Sequence, residues 1–331
     1  MKLVGKSLII AGALFLTGLI FVGVGIGFLA SGTKDNNGIE NDKAEYEKVT
    51  FVTDAASVNK IVANLESEDI KIVPGDGEAI KLTYYDIPED EIYSVTDDNG
   101  KLVIKKKREE GINVNKLFFS VTDFQKLQNS INKNTDIREF ILEVPKKYGK
   151  YTIACTSGSI YIKDIEALGE CIFDVTSGNV NIDNAVFTDN LKITSTSGSV
   201  SIDNCDIDGL LSVCSTSGGA KLNNVIVKDN LEINATSGDY YMDKISVGFM
   251  LCNTTSGDIC ANELAVEEGI EGYSTSGEYY LNINDISAKY SVEIYTTSGN
   301  KNIDNTDRKN SLKKLNINTT SGDVKVLFSD N

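Results

Sequence analysis

Residues 191–202 read Leu191-Lys192-Ile193-Thr194-Ser195-Thr196-Ser197-Gly198-Ser199-Val200-Ser201-Ile202. Apolar and polar side chains alternate on both sides of a Thr-Ser-Gly turn, which is the period of a strand with one buried face. The turn recurs nine times, with its glycine at Gly158, Gly178, Gly198, Gly218, Gly238, Gly257, Gly277, Gly299 and Gly322, at intervals of 20, 20, 20, 20, 19, 20, 22 and 23 residues. A period near twenty marks a stacked-repeat architecture. Aligned on the glycine, the seventh position before it is apolar from Tyr151, Cys171 and Leu191 through to Val292 and Leu315. The fourth position after it is apolar from Ile162 and Ile182 through to Ile303 and Val326.

Such columns predict an all-β chain wound as a parallel β-solenoid, a right-handed β-helix with coils of about 20 residues. Nine coils at the inter-strand spacing make a rod of about 43 Å. No unit holds a run of helical periodicity, and no proline follows Pro145, as a continuous ladder of backbone donors requires.

The turn serines are structural on this reading. A nucleophile is needed once, beside a base, whereas every coil needs a turn, and the expectation is glycine at positive φ with a short hydroxyl bonding nearby backbone. Asp183, Asp203, Asp243 and Asp304 share the column five residues past the glycine, mostly followed by an asparagine. Stacking brings Asp183 and Asp203 to about 5 Å, the carboxylate spacing of a retaining glycosidase, and an acidic column also suits calcium. The plainer account is a corner, where Asp-Asn tolerates left-handed backbone.

Outward from the regular coils at 151–331, residues 49–150 carry strand runs at Lys60–Asn64, Ile70–Val73, Ile80–Tyr85, Leu102–Lys105 and Phe140–Val144. These read as irregular opening coils of the same solenoid. Val114, Leu117, Phe118, Val121, Phe124, Leu127 and Ile131 fall at spacings of three or four. They mark a helical insertion at 112–133, a cap on one end of the solenoid, with a membrane-surface helix and a plain loop as alternatives. Residues 31–48 are polar and acidic enough for a flexible linker. Leu8 to Ala30 is uncharged over 23 residues, a helix about 35 Å long that spans a bilayer. Lys2 and Lys6 precede it within the cytoplasmic residues 1–7, and acids follow, so the bulk of the chain is expected outside the cell membrane. A cleaved signal peptide ending near Ala30-Ser31-Gly32 is the competing reading.

The 331 residues include no His and no Trp, with 32 Lys+Arg against 48 Asp+Glu, a net charge of −16. Catalytic triads and dyads built on imidazole are excluded, as are histidine-ligated metals. An acidic chain is not expected to bind nucleic acid. Residues 151–331 hold 12 basic and 25 acidic groups, a balance of −13, so the solenoid itself repels anionic polymers and attracts cations. No cofactor, metal or catalytic residue is assigned.

Four of the six cysteines, Cys155, Cys171, Cys205 and Cys252, fall in apolar columns; Cys214 and Cys260 fall in outward ones, and no disulfide is expected. Tyr241, Tyr273, Tyr280 and Tyr295 occupy outward columns of the later coils. They are the candidate binding residues, an aromatic patch for an envelope glycan, a surface protein or a cationic peptide. Arg308, Lys309, Lys313 and Lys314 gather in the last coils near the open end, where charge discourages edge-to-edge stacking.

The apolar anchor, its Gly-rich end, and the repeated Thr-Ser-Gly turn with alternating apolar residues resemble the bacterial putative-adhesin family of β-strand-repeat envelope proteins, including LiaG-like proteins. The resemblance covers most of the chain beyond about residue 50. It implies a membrane-anchored extracytoplasmic β-solenoid, non-enzymatic, serving surface adhesion, scaffolding or the cell-envelope stress response. The rivals are a β-helix polysaccharide-degrading enzyme and a passive spacer.

Overall fold

The computed structural model describes residues 47–86, 93–107, 139–309 and 311–330. The expected membrane span at 8–30, the linker up to residue 46 and the helical insertion at 112–133 lie outside the described residues. Among the described residues no helix is long and apolar enough to cross a membrane. What is described is all-β, a parallel β-solenoid with only short 3-10 turns.

Each regular coil has three sides. In the Gly178 coil these are Cys171–Val175 before the turn, Val180–Asp183 after it, and the short Val186–Phe187. Each pairs in register with its counterpart one repeat on: Cys171 with Leu191, Val180 with Val200, and Val186 with Asp206. The alternation inferred from the sequence places one set of side chains inside. Leu191, Ile193, Val200 and Ile202 are buried, and so are the equivalents in both apolar columns except the half-buried Ile303. Burying one such side chain stabilises by about 1.5–3 kcal/mol, so the stacked columns are the main source of stability.

The turn glycine is required for a reason other than the one expected. Of the nine, only Gly238 and Gly257 have positive φ. A Cβ on Gly178 would lie 1.8 Å from the carbonyl oxygen of Gly158, and one on Gly198 1.7 Å from that of Gly178. Successive turns therefore pack backbone on backbone, leaving no room for a side chain. The hydroxyl that braces the turn also lies outside the triplet: Ser195 Oγ donates to the Gly198 carbonyl at 2.6 Å, and Ser215 Oγ to that of Gly218 at 2.6 Å. Left-handed backbone is found instead six residues past the glycine, at Asp164, Asn184, Asn204, Asn224, Lys244 and Glu263.

At both ends the spatial order departs from the sequence order. The strand Lys60–Leu65 lies between Lys150–Cys155 and Lys101–Lys106, and Asp69–Pro74 lies between Ile160–Lys163 and Glu139–Val144. The first coil is thus one layer inside the stack, and its Glu66-Ser67-Glu68 occupies the place of a Thr-Ser-Gly turn, with the Gly158 turn packed on the Glu68 carbonyl. Beyond it, antiparallel strands finish the end: Ala79–Asp86 on Glu139–Val144, Glu47–Asp54 on Ala79–Asp86, and Tyr93–Asp98 on Lys101–Lys106.

The far end mirrors this. Lys313–Thr319 pairs on one side with Gly269–Ser274 and on the other with Tyr290–Thr296. The turn glycines stack in the order Gly277, Gly322, Gly299, so the last coil is inserted beneath the one before it. This corrects the expectation that Lys313 gathers at an open end. Its ammonium is 2.7 Å from the Asp285 carboxylate and 5.5 Å from the centre of the Tyr290 ring. The intervals of 22 and 23 residues have their cause here, because the chain must skip a layer and then return to it.

Candidate binding surface

The four tyrosines do not form the single patch expected of them. Tyr241 and Tyr280 project from the strand after the turn, with Cys260 between them in the ladder. Tyr273 and Tyr295 project from the strand before the turn, with Asn318 between them. Two pairs on two faces replace one cluster, each pair separated by an intervening coil. Tyr241, Tyr273 and Tyr295 are 49%, 41% and 53% exposed, whereas Tyr280 is half-buried beneath Lys325, whose ammonium sits 5.3 Å from the ring centre.

An acid two residues earlier accompanies every one of these rings: Asp239, Glu271, Glu278 and Glu293. Strand alternation puts acid and ring on one face. The Tyr295 hydroxyl donates to Glu293 Oε1 at 2.9 Å, and the Tyr241 hydroxyl reaches Asp239 Oδ2 at 3.5 Å. The pairing raises the phenol pKa of Tyr295, through its hydrogen bond to Glu293, and that of Tyr241, through the Asp239 charge. For Tyr273 burial comes first and the Glu271 charge second. The acid-x-Tyr pattern was legible as letters but acquires meaning only once both residues are known to face outward.

Beside Tyr241 and Tyr280 runs a file of carboxylates on successive layers, Asp239, Asp258, Glu278 and Asp323. The first two each accept the backbone N–H of the next coil, at 3.0 and 2.9 Å. A shallow depression between the layers is lined by Tyr241, Asp243, Cys260 and Asn262, with Lys221 and Asn223 on its other side.

Asp183 and Asp203 do stand opposite each other in the ladder. Both oxygens of each are engaged: Asp183 with Lys163 at 3.3 Å and the Asn204 amide at 3.3 Å, Asp203 with the Ser201 hydroxyl at 2.9 Å and the Asn223 amide at 3.3 Å. Such a column is a hydrogen-bonded corner, continued by Asn224 donating to Asn204 at 3.0 Å. No group of three or more metal-ligating side chains is arranged to hold an ion among the described residues.

The Thr-Ser-Gly serines lie exposed along one ridge, and their backbone N–H groups bond the preceding coil, as Ser177 does to the Thr156 carbonyl at 2.8 Å. All six cysteines are free thiols; Cys155, Cys171, Cys205 and Cys252 are buried, while Cys214 and Cys260 are partly exposed. Burial pushes the thiols of Cys155, Cys171 and Cys205 up to about 12.

Two end residues escaped the sequence reading. The buried Glu68 carboxylate accepts the Tyr93 hydroxyl at 2.7 Å and the N–H groups of Glu66 and Ser67 at 3.0 Å each. Asp285 receives Lys289 and Lys313, each at 2.7 Å. Glu66, Ser67 and Lys289 are local partners, but Tyr93 and Lys313 reach these carboxylates only through the arrangement of the end layers.

Among solved structures, a candidate adhesin from Bacteroides fragilis is 12% identical, with 85% of this chain and 97% of that one covered and a TM-score of 0.44. A candidate lipid binding protein from Parabacteroides distasonis is 13% identical, with 85% and 96% covered and a TM-score of 0.46. A candidate cell adhesion protein from Clostridium sporogenes is 14% identical, with 86% and 100% covered and a TM-score of 0.24. No curated protein matches the chain. A family model described as Toastrack DUF4097 matches residues 58–327, and the chain belongs to that family.

Proposed function

We propose that this protein is a single-pass, membrane-anchored module of the bacterial envelope whose solenoid stands outside the cytoplasm and binds or scaffolds other surface components without catalysis. The observation that carries the reading is the set of tyrosines held outward on a rigid ladder, each with a carboxylate beside it. Aromatic rings on an exposed face combine apolar contact area with a polar tip, which suits recognition of another molecule. The uncharged span at 8–30, with lysines before it and acids after it, supports the anchored topology. A part in the envelope stress response rests on the family resemblance alone.

The test is binding of the full-length chain, in neutral detergent, to envelope glycans and cationic peptides, compared with Tyr241→Ala and Tyr280→Ala. Reduced binding in either variant is expected. Unchanged binding in both removes that face from the proposal. Release of sugar fragments would replace the proposal with a polysaccharide-degrading enzyme, and absence of any ligand would leave a spacer. Thiol labelling of Cys260 from outside intact cells checks the topology.

A further inference from the structure

The inserted C-terminal coil builds a surface that sequence order would not. Tyr273 and Tyr295 belong to consecutive repeats, and in a sequential stack their rings would lie on adjacent layers. With Lys313–Thr319 between them, Asn318 separates the two rings and Asn316 separates Glu271 from Glu293. Two layers correspond to about 9.6 Å along the rod. The result is a small frame: a ring and a carboxylate on each outer layer, with a pair of amides, Asn318 donating to Asn316 at 2.8 Å, in the middle. Lys314, at the start of the inserted strand, is its outward-facing cation.

The molecule itself displays what such a ring-and-acid unit takes. Tyr280, with Glu278 two residues before it, carries the Lys325 ammonium over its face. A cation over a tyrosine face is held by the ring quadrupole, and an adjacent carboxylate adds charge attraction. Among the described residues no ammonium stands over Tyr273 or Tyr295. The solenoid's balance of −13 draws cations towards it.

We propose that Tyr273, Glu271, Tyr295 and Glu293 form a docking surface for an extended cationic peptide that places two ammonium groups about 10 Å apart, one on each tyrosine. In the polyproline II conformation, with three residues per turn and a rise of about 3.1 Å, residues i and i+3 lie on one side of the chain about 9.3 Å apart, so the matching sequence is Lys-x-x-Lys. Asn316 and Asn318 face the backbone amides between the two lysines. This reading rests on the binding function proposed above and supplies its ligand class.

The probe is the peptide acetyl-Lys-Gly-Gly-Lys-amide, titrated onto the full-length chain at low salt, beside its doubly Nζ-acetylated form and acetyl-Lys-Lys-Gly-Gly-amide. The expected result is saturable binding, weaker for the adjacent-lysine peptide and absent for the acetylated one. Tyr273→Ala and Tyr295→Ala each lower affinity about 2- to 5-fold. Glu271→Gln and Glu293→Gln lower it to a similar extent, while Glu232→Gln, an acid in the same column but on the Gly238 coil, leaves it unchanged. Equal loss with Glu232→Gln, or no preference for Lys-Gly-Gly-Lys, overturns the proposal in favour of diffuse charge attraction. Binding of a neutral glycan that is lost with Tyr273→Ala, alongside no binding of the peptide, overturns the ligand class and preserves the binding function. No ligand on either face overturns both.

Discussion

The coils from Gly158 to Gly238 and the two ends of the stack are held by different means. In the middle, each layer repeats the one before it: Leu191 lies on Cys171, Leu211 on Leu191, and the corner asparagines hydrogen-bond along the rod. At the ends the layer order is rearranged, so that neither the first nor the last coil of the chain is the last layer of the stack. A repeat that simply stopped would leave a full row of unpaired backbone groups as a template for aggregation. Here both terminal coils are paired on two sides, and later or earlier segments, antiparallel at the first end, take the outer position. Each rearranged end also gathers several polar partners on one carboxylate, Glu68 or Asp285, whereas the corner carboxylates of the middle coils, Asp183 and Asp203, are spread along a repeating column with asparagine amides beside them.

The largest test of this contrast is to end the chain at Lys309. The strands Gly269–Ser274 and Tyr290–Thr296 would lose their common neighbour. Hydrogen exchange should then show protection lost at Ile270 and Val292 and retained at Leu191 and Leu211. Unchanged protection at Ile270 would mean that the Gly299 coil can close directly on the Gly277 coil, and that insertion is not what holds this end.

Next in size is Gly198→Ala, because the added Cβ meets the Gly178 carbonyl oxygen with backbone on both sides and no side chain to yield. The loss should be about 3 kcal/mol or more in denaturant unfolding. Gly77→Ala, at a turn with nothing within 4 Å, should change stability by less than about 1 kcal/mol. Equal effects at the two sites would refute the stacking account of the turn.

How much of this could be read beforehand follows from where the information lies. The fold was legible in Leu191–Ile202 and its copies because each coil's inward residues are local in sequence and the stacking vector is the same at every step. Layer order at the ends was not, since Lys313–Thr319 satisfies the same inward pattern in either order and only the longer intervals after Gly277 hint at a detour. The tyrosines were identified as outward from alternation alone. Their division into Tyr241 with Tyr280 and Tyr273 with Tyr295 needs the turn between the faces and the inserted coil, neither of which any single repeat encodes.

Acid should separate ends from middle. Burial works to raise the pKa of Glu68, but the Tyr93 hydroxyl and the surrounding N–H groups outweigh it and hold it below its usual 4.5. Asp285 is likewise opposed by burial and drawn down by Lys289 and Lys313 to about 2. Depressed carboxylates contribute stability above the unfolded-state value that is lost as pH falls through the folded one. The ends should therefore loosen below about pH 4.5 at Glu68, and between about pH 4 and 2 at Asp285, before the middle coils exchange. Glu68→Gln should cost about 1–3 kcal/mol at pH 7 and progressively less in acid. A penalty that does not shrink with falling pH would show that Glu68 acts by shape and not by charge.

The smallest effect tests the left-handed corner, which recurs from Asp164 to Glu263 and has no counterpart in the end coils among the described residues. Left-handed backbone costs an ordinary L-residue about 1 kcal/mol, and asparagine lessens that cost through its short amide. Asn204 and Asn224 take this conformation at φ 53° and 54°, and Lys244 takes it at 55° one layer further on. The lysine gains nothing from the geometry and interrupts the amide ladder that runs from Asn204 to Asn224. Lys244→Asn should therefore raise stability by about 0.5–1 kcal/mol, and Asn204→Lys should lower it by a similar amount. If both substitutions are neutral, the ladder contributes no energy and the asparagines are present only for their backbone. If Lys244→Asn destabilises, the lysine makes a contact at this corner that outweighs the strain, and the regular coils are less uniform than their register implies.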